Sequence, residues 1–175
     1  MLVDSERESC RVNNSTKPTT AIFVDVQNIY YTTRQAHNAQ FNYRKLWELV
    51  STENTIVTAN AYAIDRGDER QRNFQSTLKS IGFTIKLKPF IQRSDGSAKG
   101  DWDVGIAIDV MQEAQQVDKV ILLSGDGDFD LLLDRVKKDY AVTAEVYGVK
   151  ALTADSLIKS ADRFHAIDGE LLLKK

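Results

Sequence analysis

Five short runs rich in apolar residues, Ala21 to Val26, Ile56 to Ile64, Thr84 to Pro89, Lys119 to Ser124 and Thr143 to Val149, constrain this chain more than any other feature. A strand with one face in water alternates apolar and polar residues, whereas a strand covered on both faces does not need to. Most of these runs do not alternate, so they belong to a sheet buried from both sides. Between them, Ile29 to Ala39, Tyr43 to Val50, Asp68 to Ile81, Trp102 to Gln115, Phe129 to Tyr140 and Ala154 to Ala161 carry helical spacing. Alternating strands and helices predict an α/β fold with a mainly parallel central sheet of five or six strands and helices on both faces. The sixth strand, where present, falls near His165 to Ile167.

The chain has 175 residues, 42% of them hydrophobic, which is enough for one core and too few for two comfortable domains. The expectation is a single domain over 21–175. Residues Met1 to Thr20 are rich in Ser, Thr, Asn and charge and read as a mobile polar leader. The stretch Ser94-Asp95-Gly96-Ser97-Ala98 is the clearest flexible loop. Lys and Arg number 23 against 25 Asp and Glu, so no global basic field announces a polyanion, and any such partner needs a local basic patch or a metal. The lone Cys10 excludes an internal disulfide framework and a cysteine zinc site, and it fits a reducing compartment. No apolar run approaches the ~20 residues that span a bilayer, and the N-terminus has no apolar signal core. The expected setting is cytoplasmic, away from membranes.

Carboxylates gather where the predicted strands end. In open parallel sheets, ligands collect beyond the carboxyl ends of the strands, so residues there share a rim even when far apart in sequence. Asp25 closes the first strand in Phe23-Val24-Asp25-Val26-Gln27-Asn28. Asp101 and Asp103 follow Lys99-Gly100 at a helix start, and Asp126, Asp128 and Asp130 follow the strand Lys119 to Ser124. Taken singly, Asp25, Asp101 or Asp103 serves as a helix cap, and Gly-Asp-Gly-Asp serves as a turn. Taken together, they place four or more like charges around one cavity, which resists burial unless a cation or a proton is held there. Proton sharing needs only two carboxylates, and hard divalent cations take oxygen ligands, so magnesium or manganese fits the inventory better. Asp126, Asp128 and Asp130 match the opening of a calcium-binding EF-hand loop, but Leu131 and Lys137 occupy its turn-glycine and closing-glutamate positions. Zinc is disfavoured because His37 and His165 show no ligand spacing. Asn28 can orient a water or a phosphate oxygen through its amide. Ser124 is a candidate donor to a phosphate, and Lys99 a candidate cation beside it.

Three motifs resemble the NYN domain family, LabA-type, of the PIN-like nuclease superfamily: Phe23-Val24-Asp25-Val26-Gln27-Asn28, Lys99-Gly100-Asp101-Trp102-Asp103-Val104 followed by Asp109, and Ser124-Gly125-Asp126-Gly127-Asp128-Phe129. They stand in the family's order, and the similarity runs from about Ala21 to Val149. The resemblance implies an αβα sandwich and a magnesium- or manganese-dependent ribonuclease that leaves 5′-phosphate ends. Carried over by position, it assigns the metal to Asp25, Asp103, Asp126 and Asp128, with Asn28 beside them. One departure is that both Asp101 and Trp102 separate Gly100 from Asp103, where many members have a single residue. The spacing of Asp103 to Asp109 is retained, which favours Asp103 over Asp101. Asp130 has no assigned part.

On this reading RNA contacts come from Arg66, Arg70 and Arg72 at one helix start, from Lys86, Lys88, Arg93 and Lys99 around the flexible loop, and from stacking on Tyr30, Tyr31 and Trp102. The bland alternatives are solvated basic faces and ordinary packing aromatics. The main rival is a catalytically weak or inactive module that binds RNA or protein. A phosphatase using Asp25 as nucleophile ranks lowest, because Gln27 stands where the second acid of such enzymes usually lies. A homodimer or a protein partner is neither required nor excluded by these residues.

Overall fold

A computed structural model describes residues 17–89, 91–92, 98–99 and 101–173. Its sheet strands are β1 (Thr19–Asp25), β2 (Thr55–Asp65), β3 (Thr84–Pro89), β6 (Lys119–Leu123), β7 (Thr143–Gly148) and β8 (Arg163–Ala166). All neighbours are parallel, in the order β3-β2-β1-β6-β7-β8. Two further strands, β4 (Ile91–Gln92) and β5 (Ala98–Lys99), form a separate antiparallel ladder.

The helices are α1 (Val26–His37), α2 (Tyr43–Glu53), α3 (Glu69–Ile81), α4 (Asp103–Glu113), α5 (Asp130–Tyr140) and α6 (Asp155–Ser160). Chain direction across the sheet reverses between β1 and β6, and the helices divide accordingly. Ile29, Leu46, Val50 and Leu78 from α1, α2 and α3 pack with Ile22, Val24, Ile121 and Leu123 on one face. Ile106, Val110, Leu133, Val136 and Leu157 from α4, α5 and α6 pack with Phe23, Val120, Leu122 and Val146 on the other. This is the three-layer α/β sandwich the sequence predicts. Alternate residues of β1 and β6 serve opposite cores, which is why those runs carry no polar alternation.

Three helix starts have side-chain caps, with Asp25, Asn42 and Asp68 accepting from the backbone N–H of Asn28, Lys45 and Gln71. Helix α4 differs. Its cap position is Trp102, without a side-chain cap bond, and Asp103 is its first residue. Neither Asp101 nor Asp103 occupies the cap position expected for one of them.

The first strand begins at Thr19, two residues before the expected Ala21. Thr19 donates to Asp118, and the fully buried Thr20 donates its hydroxyl to Asn54 Oδ1 at 2.9 Å, so these polar residues extend β1 through side-chain hydrogen bonds. The rest of the expected leader, through residue 16, lies outside the described residues, as do Arg93 and most of the expected loop at 94–98. The sixth strand begins at Arg163, two residues ahead of expectation. His165 stacks on Tyr147 with ring centroids 4.3 Å apart and bonds to Glu145 Oε1 at 2.6 Å, while His37 is exposed on α1. Among the described residues, no helix is long and apolar enough to cross a membrane.

Candidate metal centre

The carboxyl ends of β1 and β6 meet where the chain direction reverses, the position at which open parallel sheets leave a crevice. Asp25 ends β1, the turn Ser124 to Asp128 leaves β6, and α4 brings Asp103 from the far side of the sheet. One carboxylate oxygen each from Asp103, Asp126 and Asp128 lies within 4.8 Å of the others. Asp103 and Asp126 are partly exposed and Asp128 is exposed. Asp25 stands deeper. Its Oδ2 accepts from the Ser124 hydroxyl at 3.2 Å, and its Oδ1 from the Asn28 N–H at 3.4 Å.

Electrostatics couple the acids. Burial pushes the Asp25 carboxyl up to about 6, against the hydrogen bonds from Asn28 and Ser124 and reinforced by the charges of Asp126 and Asp101. Burial also leads the rise of Asp103, to about 7, with the charges of Asp126, Asp101 and Asp25 and a hydrogen bond with Asp126 adding to it. The metal-free site therefore retains protons near neutrality. A divalent cation among these oxygens favours their charged forms against both burial and mutual repulsion, so the donor set fits a hard cation.

Small residues hold the acid turn in place. Ser124 is fully buried; its hydroxyl donates to Asp25 and accepts the Asp126 N–H at 3.2 Å. This geometry turns Ser124 inward to orient two acids and leaves it no surface for a phosphate. Asn28 Oδ1 accepts the Gly125 N–H at 2.9 Å, which fixes the amide and leaves Nδ2 without a protein partner among the described residues. Neither Gly125 nor Gly127 has a positive φ. Their reason for being glycine is space: a Cβ on Gly125 would sit 2.7 Å from the Leu152 carbonyl, and one on Gly127 would sit 2.9 Å from the Ala154 Cβ. The acid turn is thereby clamped to the loop that follows β7, a clamp completed by the Ala154 N–H donating to the Gly125 carbonyl at 3.0 Å.

Asp101 is exposed and outside the three-oxygen group, and its Oδ1 accepts the Asp103 N–H at 3.4 Å. Asp130 is likewise outside the group and bonds its neighbour's Leu131 N–H. Asp109 belongs to a different network, which joins α4 to β2 and β3. It accepts from Tyr62 at 2.7 Å and from Lys86 at 2.6 Å. Partial burial works upward on Asp109, but those two bonds and the Lys86 charge outweigh it and hold the carboxyl below its usual range. Tyr62 also packs against Trp102, centroids 5.3 Å apart, and the Trp102 indole donates to the Ala63 carbonyl at 2.8 Å. Tyr62 is the register partner of Asp25, so this network ties α4 to the strand beside β1. Lys86 shares its run with Thr84 and Lys88, so no local pattern in the sequence singles it out.

The other expected contacts are placed unevenly. Trp102 is partly buried under Lys88, whose Nζ lies 4.5 Å from the ring centroid and donates to the Asp101 carbonyl. That is packing, not an open stacking face. Arg66 is exposed just beyond β2, on the same rim as the acids but four register positions past the end of β1. Arg70 and Arg72 are exposed at the start of α3, and Arg72 bonds the Gly67 carbonyl. Arg93 lies outside the described residues, as does the side chain of Lys99, whose backbone is in β5.

Comparison with known proteins bears on the whole arrangement. The family model described as the NYN domain matches residues 19–168. The low amplitude and bright protein LabA of Synechococcus elongatus is 29% identical over 154 residues, covering 82% of this chain and 81% of that protein. The crystal structure of a Vibrio parahaemolyticus protein of unknown function is 52% identical, with a TM-score of 0.86, and the match covers 90% of this chain and 97% of that one.

Proposed function

This chain belongs to the NYN domain family, and from that premise we propose that it is a ribonuclease that hydrolyses RNA phosphodiester bonds using magnesium or manganese held by its aspartates. The observation that carries the reading is the convergence of Asp103, Asp126 and Asp128 within 4.8 Å, beside the partly buried Asp25, at the reversal point of the sheet. Asp25, Asp103, Asp126 and Asp128 would hold the ion. When bound, it supplies positive charge for the attacking water and the leaving oxygen of the phosphodiester.

The chain's own residues prepare that chemistry. Ser124 locks Asp25 and the Asp126 backbone in one orientation, so the carboxylates meet a cation without rearranging. Asn28, fixed through Gly125, presents its Nδ2 as a donor to a substrate oxygen. Trp102 and Tyr62 hold the start of α4, and with it Asp103, against β2. Arg66 lies on the rim where a phosphate backbone would pass.

The test is incubation with single-stranded and structured RNA in magnesium or manganese, then in chelator. Metal-dependent cleavage that is lost in Asp25→Asn and Asp126→Asn supports the reading. RNA affinity without cleavage under any metal refutes it in favour of a binding module.

A further inference from the structure

We propose that the outer face of α1 is a docking surface for a single-stranded stretch of RNA leaving the metal centre, with Tyr30 and Tyr31 as base-stacking rings and Arg34 as a phosphate contact. The inference rests on the ribonuclease reading above and deepens it.

Helix α1 begins at the metal centre itself, since Asp25 is its cap and Asn28, in its first turn, touches the acid turn. Tyr31 lies three residues beyond Asn28 and so on the same side of the helix, while Tyr30 and Arg34 are four apart on the adjoining stripe. At about 1.5 Å per residue, the rings begin about 8 Å along the helix from Asp25.

Both rings face solvent, Tyr30 being 44% and Tyr31 50% exposed, although large aromatic side chains ordinarily bury most of their surface. They are held, not loose. Their centroids are 5.4 Å apart in an edge-on arrangement, and Arg34 both bonds the Tyr30 hydroxyl and sits 5.7 Å from its ring centroid. The two rings are thus pre-arranged near a cation, and a base that stacks on them meets little further ordering cost.

Charge identifies the occupant. The chain carries a slight excess of acid, and each of α2 to α6 contains at least one carboxylate, whereas α1 among the described helices contains none and carries Arg34 and His37 in its last turn. An acid-free helix with exposed rings and an arginine, running outward from a carboxylate cluster, suits a ligand that is anionic along its backbone and aromatic along its side. Single-stranded RNA has both properties, and a duplex hides its base faces.

The full chain is tested in EDTA, which stops cleavage, by anisotropy of a fluorescent unstructured RNA oligonucleotide and of the corresponding duplex. Tyr30→Ala and Tyr31→Ala are each expected to weaken single-strand binding about tenfold. Tyr31→Trp keeps the parent affinity, and duplex affinity changes less than about twofold. Arg34→Gln lowers the salt slope of binding by about one. Unchanged melting temperatures would confirm that these exposed positions have been altered without disturbing the fold. The proposal is overturned if the parent does not bind single-stranded RNA, if both alanine variants bind as the parent does, or if duplex and single strand weaken alike. Tyrosine-dependent binding without metal-dependent cleavage leaves this surface standing and refutes the nuclease reading. Cleavage that needs Asp126 but is indifferent to both tyrosines does the reverse.

Discussion

Replacing Asp25 by Asn is expected to make the metal-free protein more stable at pH 8. In the folded state burial raises this carboxyl from 3.8 to about 6. A carboxyl whose folded value lies above its unfolded one contributes stability that is fully present below about 3.8 and is lost as pH rises through about 6. A rise of that size corresponds to about 3 kcal/mol lost by pH 8. Asn is neutral and nearly the same shape, so it avoids that loss. Its amide cannot accept from both Asn28 and Ser124 as the carboxylate does, and one impaired bond costs about 1 kcal/mol. The net gain at pH 8 is about 2 kcal/mol, or about 4 to 8 °C in melting temperature for a chain of this size. Urea unfolding in EDTA at several pH values measures it, with the parent and variant compared at each. The gain should shrink between pH 6 and pH 4 and then invert, leaving only the impaired hydrogen bond. A variant less stable than the parent at pH 8, or a difference independent of pH, would refute the account of Asp25 as a partly buried charge that desolvation disfavours.

Millimolar magnesium or manganese should raise the melting temperature of the parent, with chelator reversing the shift, and Asp126→Asn should abolish most of the response. Gly125→Ala forces a methyl to within 2.7 Å of the Leu152 carbonyl and is expected to cost about 1 to 3 kcal/mol in urea unfolding. Lys86→Met leaves the Asp109 carboxylate without its cation and should destabilise the protein by about 1 kcal/mol at pH 7, an effect that Lys86→Arg largely avoids. Glu145 is lowered to about 2, first by its hydrogen bond with His165 and then, against the opposing effect of burial, by Lys119. A depressed carboxyl stabilises above its unfolded value and loses that contribution as pH falls. Glu145→Gln should therefore cost about 2 kcal/mol at pH 7, with the gap to the parent closing from pH 4.5 towards 2.

The main sheet was legible because its central strands are buried on both sides, which leaves an unbroken apolar signature in runs such as Val120 to Leu123. The ladder of β4 and β5 was not, since two residues per strand carry no periodicity. Thr19 and Thr20 look like leader in sequence because nothing local signals their hydrogen bonds to Asp118 and Asn54, 99 and 34 residues away. In the site, acids at strand ends were legible from topology alone. The part played by Ser124 was not, because a serine after a strand reads the same whether it faces a ligand or a neighbouring acid. Gly125 and Gly127 suggested a turn, but their tight contacts are with Leu152 and Ala154, set by the loop after β7. Asp109 had the right spacing for the family motif, yet its partners lie on β2 and β3, which no local pattern could connect.

The hydrogen bond between Ser124 and Asp25 spans 99 residues, and that between Gly125 and Asn28 spans 97. Both form only when β6 docks beside β1, the pairing that brings the two halves of the sheet together. During synthesis the first acid emerges long before the others, and contacts this distant are among the slower ones to form. A nascent or partly unfolded chain thus holds Asp25 apart from Asp103, Asp126 and Asp128. The acid cluster is therefore assembled in one step, when β6 docks beside β1, and the moment of its assembly is written into strand order.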